Sequence, residues 1–109
     1  MSRNDYIVSL AINAWANCGR VVWLNADLSR AKLRGVDLTN ADLSGTKMRG
    51  ADLRGARLID ARLRGVSLSR ADLRGADLCG TDLTGGSLSK ADLRYATLQS
   101  CTPAEEFLR

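Results

Sequence analysis

From Ala26 to Ser100 the chain divides without insertion into fifteen five-residue units, and this period decides what the sequence can become. The units read ADLSR, AKLRG, VDLTN, ADLSG, TKMRG, ADLRG, ARLID, ARLRG, VSLSR, ADLRG, ADLCG, TDLTG, GSLSK, ADLRY and ATLQS. Their third position is Leu in fourteen units and Met48 in the other, while the first holds only Ala, Val, Thr or Gly. In an α-helix, residues five apart lie about 140° out of step, so successive leucines would circle the axis and no one face could bury them. A continuous strand fails as well, because an odd period under two-residue alternation sends successive leucines to opposite faces. The chain must turn within every unit, with positions one and three inward and positions two, four and five toward solvent. Gly at the fifth position of many units, with Asn40 or Asp60 in others, supplies residues that tolerate the φ values a corner requires.

The tandem A(D/N)LXX pattern of these units resembles the pentapeptide-repeat family. The resemblance implies a right-handed, four-sided β-helix with four units to a coil, so that residues twenty apart stack at the strand spacing of about 4.8 Å. The expected fold class is an all-β solenoid of about four coils with an N-terminal α-helical cap and a short C-terminal helical cap. VVWLN, residues 21–25, extends the ladder backwards by one unit and places Val21 and Trp23 at the inward positions. Forwards, Cys101 falls at an inward first position above Val21, Ala41, Ala61 and Thr81, whereas Pro103 replaces the next leucine and should end the ladder.

Both ends of a solenoid expose apolar rungs and unpaired backbone, and both flanks read as covers. Tyr6, Ile7, Leu10, Ala11, Ala14 and Trp15 recur at helical intervals, with Gly19 as a stop signal. At the other end Thr102-Pro103-Ala104-Glu105 has the form of a capping box with proline at the first helical position. Phe107 and Leu108 then either fold over the last coil, leaving a monomer, or join two chains as a C-terminal-end homodimer. The expected organisation is a capping helix over residues 1–20, a β-helix over 21–101 and a cap over 102–109.

Only 5% of the 109 residues are aromatic against 45% hydrophobic overall, so the interior must be built from Leu, Ala and Val. No histidine occurs, which removes His-based triads, His metal ligands and the commonest general base. The aspartates sit in repeats on a convex surface rather than in a cleft, where catalytic carboxylates work. Catalytic residues, a metal site and a cofactor are therefore not expected, and the chain does not read as an enzyme. Cys18, Cys79 and Cys101 are an odd number at unpatterned spacings, consistent with reduced thiols in the cytoplasm. Cys79 stands at an outward fourth position with nothing basic at an adjoining rung to activate it. No apolar run approaches the roughly 20 residues of a membrane span, and no membrane partner is expected.

Sorting the outward charges by side exposes a polarity. The first face comprises the units beginning at residues 21, 41, 61 and 81, and its charges sum to zero. The second face, from 26, 46, 66 and 86, carries Arg30, Lys47, Arg49, Arg70 and Lys90 against Asp27, a sum of +4. The third, from 31, 51, 71 and 91, stacks Arg34, Arg54, Arg74 and Arg94 in one column beside Lys32, Asp52, Asp72 and Asp92, a sum of +2. The fourth, from 36, 56, 76 and 96, sets Asp37, Asp60 and Asp77 against Arg57, a sum of −2. Guanidiniums about 5 Å apart would repel by ~3 kcal/mol at an effective dielectric of 20, so the Arg column is either a ladder neutralised by its neighbouring aspartates or a basic docking stripe.

Members of the resembled family protect type II topoisomerases by mimicking the shape and charge of duplex DNA, which requires a strongly acidic surface. With a net charge of +4 this chain departs from that pattern. The reading is a binding module that docks an acidic protein surface through Arg34, Arg54, Arg74, Arg94, Arg30, Arg49, Arg70 and Lys90, with inhibition or modulation of a nucleic-acid-handling enzyme as one role of that kind. Two alternatives stand beside it: direct nucleic-acid contact through the basic faces, and a scaffold with no specific ligand.

Overall fold

The structure is a computed structural model that describes residues 21–98. The expected caps over 1–20 and 102–109, together with Cys18, Cys101, Phe107 and Leu108, lie outside the described residues. Twelve parallel bridges pair the second-position residue of a unit with the residue twenty further on, from Val22 with Asp42 to Asp77 with Thr97. Twenty residues therefore make one coil. Each side of the coil contributes a single bridging residue between turns, so the β character lies in the stacking of coils rather than in strands along the chain.

The backbone is accounted for position by position, as a coil with so little surface requires. In the unit 31–35, Leu33 N–H donates to Asp52 O at 2.8 Å and Gly35 N–H to Arg54 O at 2.9 Å, both one coil above. Asp52 N–H returns to Ala31 O at 3.0 Å, and Val36 N–H closes the turn on Leu33 O at 3.2 Å. Positions one, two, three and five of a unit are thereby satisfied by main chain. The fourth N–H is left over, and the second-position aspartate takes it: Ser29, Thr39, Ser44, Arg54, Arg74, Cys79, Thr84 and Arg94 each donate to the Oδ1 two residues before. This Asx turn is the physical reason that Asp recurs at the second position.

The third and first positions fill the interior. Leu33, Leu53 and Leu73 stack in one column with no exposed surface, and Met48 substitutes for leucine in its own column with equal burial. Ala41, Ala51, Ala56, Ala61 and Ala76 fill the small first positions completely. Full burial of a leucine contributes roughly 1.5–3 kcal/mol, so the stack supplies the main favourable term. Thr46, 1% exposed, is the one polar residue in the core among those described, and its hydroxyl donates to Leu43 O at 2.8 Å. One coil above Val66, Gly86 has no room for more: a Cβ there would lie 3.2 Å from Val66 Cγ1 and 3.0 Å from Leu83 O. At the ends of the described ladder burial weakens. Trp23 packs partly buried against the core as the first rung, and Leu83, Leu88 and Leu93 are likewise partly buried.

Every corner from Asn25 to Tyr95 has a positive φ, between 57° and 73°. Glycine adopts this region freely, and for other residues it costs on the order of 1–2 kcal/mol. At Asp60, φ 57°, the side chain folds over the next corner, so that a Cβ on Gly80 would collide with Asp60 Oδ1. Gly80→Ala is expected to destabilise the protein by about 1–2 kcal/mol in denaturant unfolding. In an Asp60→Gly background, where only the backbone cost remains, the loss should shrink by about 0.5 kcal/mol or more. Additivity of the two substitutions would refute the contact.

Candidate functional site

The third face is a ladder of matched charge. Arg54 grips the carboxylate of its own unit with both arms, Nε to Asp52 Oδ1 at 2.8 Å and Nη2 to Asp52 Oδ2 at 2.7 Å. Arg74 does the same to Asp72 at 2.8 and 2.6 Å, and Arg94 to Asp92 at 3.0 and 2.7 Å. The Nε groups also lean toward the carboxylate one coil above, 3.7 Å from Arg54 to Asp72 and 3.9 Å from Arg74 to Asp92. The column therefore runs Asp52, Arg54, Asp72, Arg74, Asp92, Arg94, with Arg54 and Arg74 each between two anions and Arg94 on Asp92, and the repulsion expected of a bare arginine column is offset. The geometry is possible because the Asx turn already holds each aspartate over the backbone beside its arginine. Arg34, at the foot, has Lys32 where the others have aspartate, and it enters no ion pair among the described residues.

These contacts set the protonation of the carboxylates. Hydrogen bonds from Arg54 and Arg74 hold Asp52 and Asp72 below the usual carboxylate range, and those from Arg94 bring Asp92 down to about 2. Asp27, Asp37 and Asp82 are also lowered, chiefly by the hydroxyls of Ser29, Thr39 and Thr84. The sequence reading missed this capping role because it treated second-position aspartates as solvated charges. Their position two residues before the fourth-position N–H, at the start of each turn, was the signal.

The second face is built differently. Its second positions hold Asp27, Lys47, Ser67 and Ser87, so one carboxylate faces five cations, and Asp27 is engaged by Ser29 N–H at 3.1 Å. Arg30, Arg49, Arg70 and Lys90 are exposed and enter no ion pair among the described residues. Three of them, Arg30, Arg70 and Lys90, occupy left-handed corners at φ 61°, 61° and 59°, where eight corners elsewhere on the coil are glycine. The seven arginines and one lysine expected to form one docking surface thus divide into three matched ladder arginines, Arg34 at their foot, and a face with uncompensated charge.

Cys79 corrects the sequence reading. It is 2% exposed and disulfide-bonded, not an outward free thiol. The expectation of reduced cysteines fails at this position. Its N–H donates to Asp77 Oδ1 at 3.1 Å, the same Asx turn as in the other aspartate units. Among the described residues no group of three or more His, Cys, Asp or Glu is placed to hold a metal ion. Among them too, no helix is long and apolar enough to cross a membrane.

The aspartate pKa values fix the response to acid. The unfolded chain protonates Asp near pH 3.9, whereas the folded chain keeps these carboxylates ionised further down, so the unfolded state takes up protons first as pH falls. The thermal midpoint is expected to be flat above about pH 5 and to drop between about pH 4 and pH 2. The triple variant D52N/D72N/D92N retains the turn acceptors but not the charge, and should flatten that slope. An unchanged slope would refute the ladder's ionic role.

The model of pentapeptide repeats matches residues 14–50, 46–85 and 71–102, in eight copies. The crystal structure of alr5209, a pentapeptide repeat protein from Nostoc PCC 7120, superposes with a TM-score of 0.76 at 30% identity, covering 89% of each chain. HetL, a pentapeptide repeat protein involved in heterocyst differentiation regulation from Nostoc sp. PCC 7120, is 39% identical over 71% of this chain, with a TM-score of 0.43, and the match spans 39% of HetL. No curated protein matches the chain. Proteins of the family matched here are generally structural or binding proteins and fold as right-handed quadrilateral β-helices. With period, coil register and match in agreement along most of its length, the chain belongs to the pentapeptide repeat family.

Proposed function

We propose that the protein is a non-enzymatic binding module that docks an acidic surface of a protein partner, with the second face as the principal contact. The observation that carries this reading is the contrast between neighbouring faces. On the third face, Arg54, Arg74 and Arg94 have their charge matched within 3 Å. On the second, Arg30, Arg49, Arg70 and Lys90 have none of theirs matched by an ion pair among the described residues. Charge that folding does not use is available for association, and the stacked backbone holds it in place, which lowers the entropic cost of binding. Arg34, at the unpaired foot of the ladder, extends the same positive region around the corner.

An acidic protein surface is favoured over nucleic acid because the second face offers no aromatic side chain on which a base could stack. Tyr95, 89% exposed, stands at the far corner of the third face. An acidic patch on a nucleic-acid-handling enzyme, which this module would inhibit or modulate, belongs to the partner class so defined. Cytoplasmic residence, and a monomer or a homodimer through Phe107 and Leu108, complete the proposal.

The test compares R30S/R49S/R70S/K90S with R34S/R54S/R74S in capture of cellular proteins by the immobilised chain. The first variant should lose the captured partner and the second should retain most of it. Retention by the first would overturn the assignment of the face. Fluorescence anisotropy with duplex DNA at low and high salt provides the second arm, and tight binding that weakens steeply with salt would favour nucleic acid instead.

A further inference from the structure

Within the second face, six residues form a two-by-three array across three coils: Ser29 and Arg30, then Arg49 and Gly50, then Ser69 and Arg70. Together they line an open depression of about 570 Å³. Arg30 and Arg70 stand below and above Gly50 in the corner column, two coils or about 10 Å apart. Gly50 leaves the space between them without a side chain. A Cβ there would rest 3.6 Å from Arg30 Cγ, an ordinary contact, so neighbouring atoms do not force this gap. The corner conformation does not force it either, since Arg30 and Arg70 adopt it at φ 61° one coil away on each side. In the adjoining column Arg49 lies between Ser29 and Ser69. Ser69 Oγ is 3.3 Å from Ser87 Oγ, and with Ser87 as the donor Ser69 keeps its own proton for a ligand.

Three guanidiniums and two hydroxyls therefore surround one notch with no carboxylate among the lining residues. A lone carboxylate brings one negative charge and two acceptor oxygens, which leaves most of this donor set unused. A phosphate monoester brings about −1.5 to −2 charges at neutral pH and three strong acceptor oxygens. Arginine's planar fork is suited to such a group, and charge-assisted bonds of this kind are about twice as strong as neutral ones. We propose that the notch over Gly50 binds a phosphate monoester, held by Arg30 and Arg70 from two sides and by Arg49 beside it, with Ser69 donating to a remaining oxygen. The inference rests on the docking face proposed above and narrows its partner to one that carries a phosphorylated side chain. A free phosphorylated small molecule would present the same group.

The test titrates the full chain, labelled with nitrogen-15, with inorganic phosphate, an acidic peptide containing one phosphoserine, the same peptide with Glu in that place, and a short DNA duplex. The phosphopeptide should shift the amides of Arg49, Gly50 and Arg70 and bind about tenfold or more tightly than the Glu peptide. Inorganic phosphate should shift the same amides more weakly, and a stronger response to it than to the phosphopeptide would assign the site to a small molecule and overturn the phosphoprotein partner. Arg49→Gln should abolish the tenfold preference while leaving the thermal midpoint within about 1 °C, because the Arg49 side chain makes no ion pair among the described residues. Equal affinity for the two peptides overturns the notch but leaves the docking face standing. Tighter binding of the duplex than of the phosphopeptide overturns it in favour of nucleic acid. Absence of binding to all four, with partner capture still lost in R30S/R49S/R70S/K90S, refutes the notch alone, whereas retained capture refutes the face beneath it as well.

Discussion

A column of leucines in contact every twenty residues is the constraint from which the rest of this protein follows. No unit can bury its own third-position side chain, because a five-residue side of a coil has nothing beneath it until the next winding arrives. Burial of Leu33, Leu53 and Leu73 thus depends on neighbours remote in sequence and adjacent in space. Since the same stacking aligns the main chain, each coil donates and accepts hydrogen bonds with the one above it, and side-chain packing and backbone pairing support a single register.

That register leaves one backbone donor per unit without a partner, and the solution links folding to surface chemistry. An aspartate at the second position accepts the fourth N–H, which holds its carboxylate in a fixed orientation. Where the fourth residue is arginine, as at 54, 74 and 94, the same carboxylate is gripped by the guanidinium and a charge ladder results. Where the second position is Lys47, Ser67 or Ser87, no carboxylate is installed and the cations of that side remain uncompensated. The difference between the neutralised third face and the uncompensated second face reduces to whether the second residue is an aspartate.

Most of the architecture was legible in the sequence because the period admits few solutions. The inward first and third positions, Trp23 as the first rung and the corners at the fifth position follow from the spacing of the leucines and the φ tolerance of glycine, whereas the twenty-residue coil came from the resemblance to the family. The division of the eight basic residues into paired and unpaired sets was not legible, since it depends on rotamers that bring Arg54 onto Asp52 rather than outward. Cys79 shows the same limit. A fourth-position side chain reads as outward from periodicity alone, yet Cys79 is disulfide-bonded and only 2% exposed. The notch at Gly50 was hidden for another reason: its six residues come from three coils, and only the stacking places them side by side.

The twenty-residue winding also bears on how such a chain can change over generations. Gain or loss of four whole units would preserve every column, lengthening or shortening the rod while keeping each face chemically the same. Gain or loss of one unit would keep the alternation of small and large inward residues, but it would turn every later charge onto the adjacent side. The core would keep its pattern with local repacking, and the surface would be rewritten from that point onward.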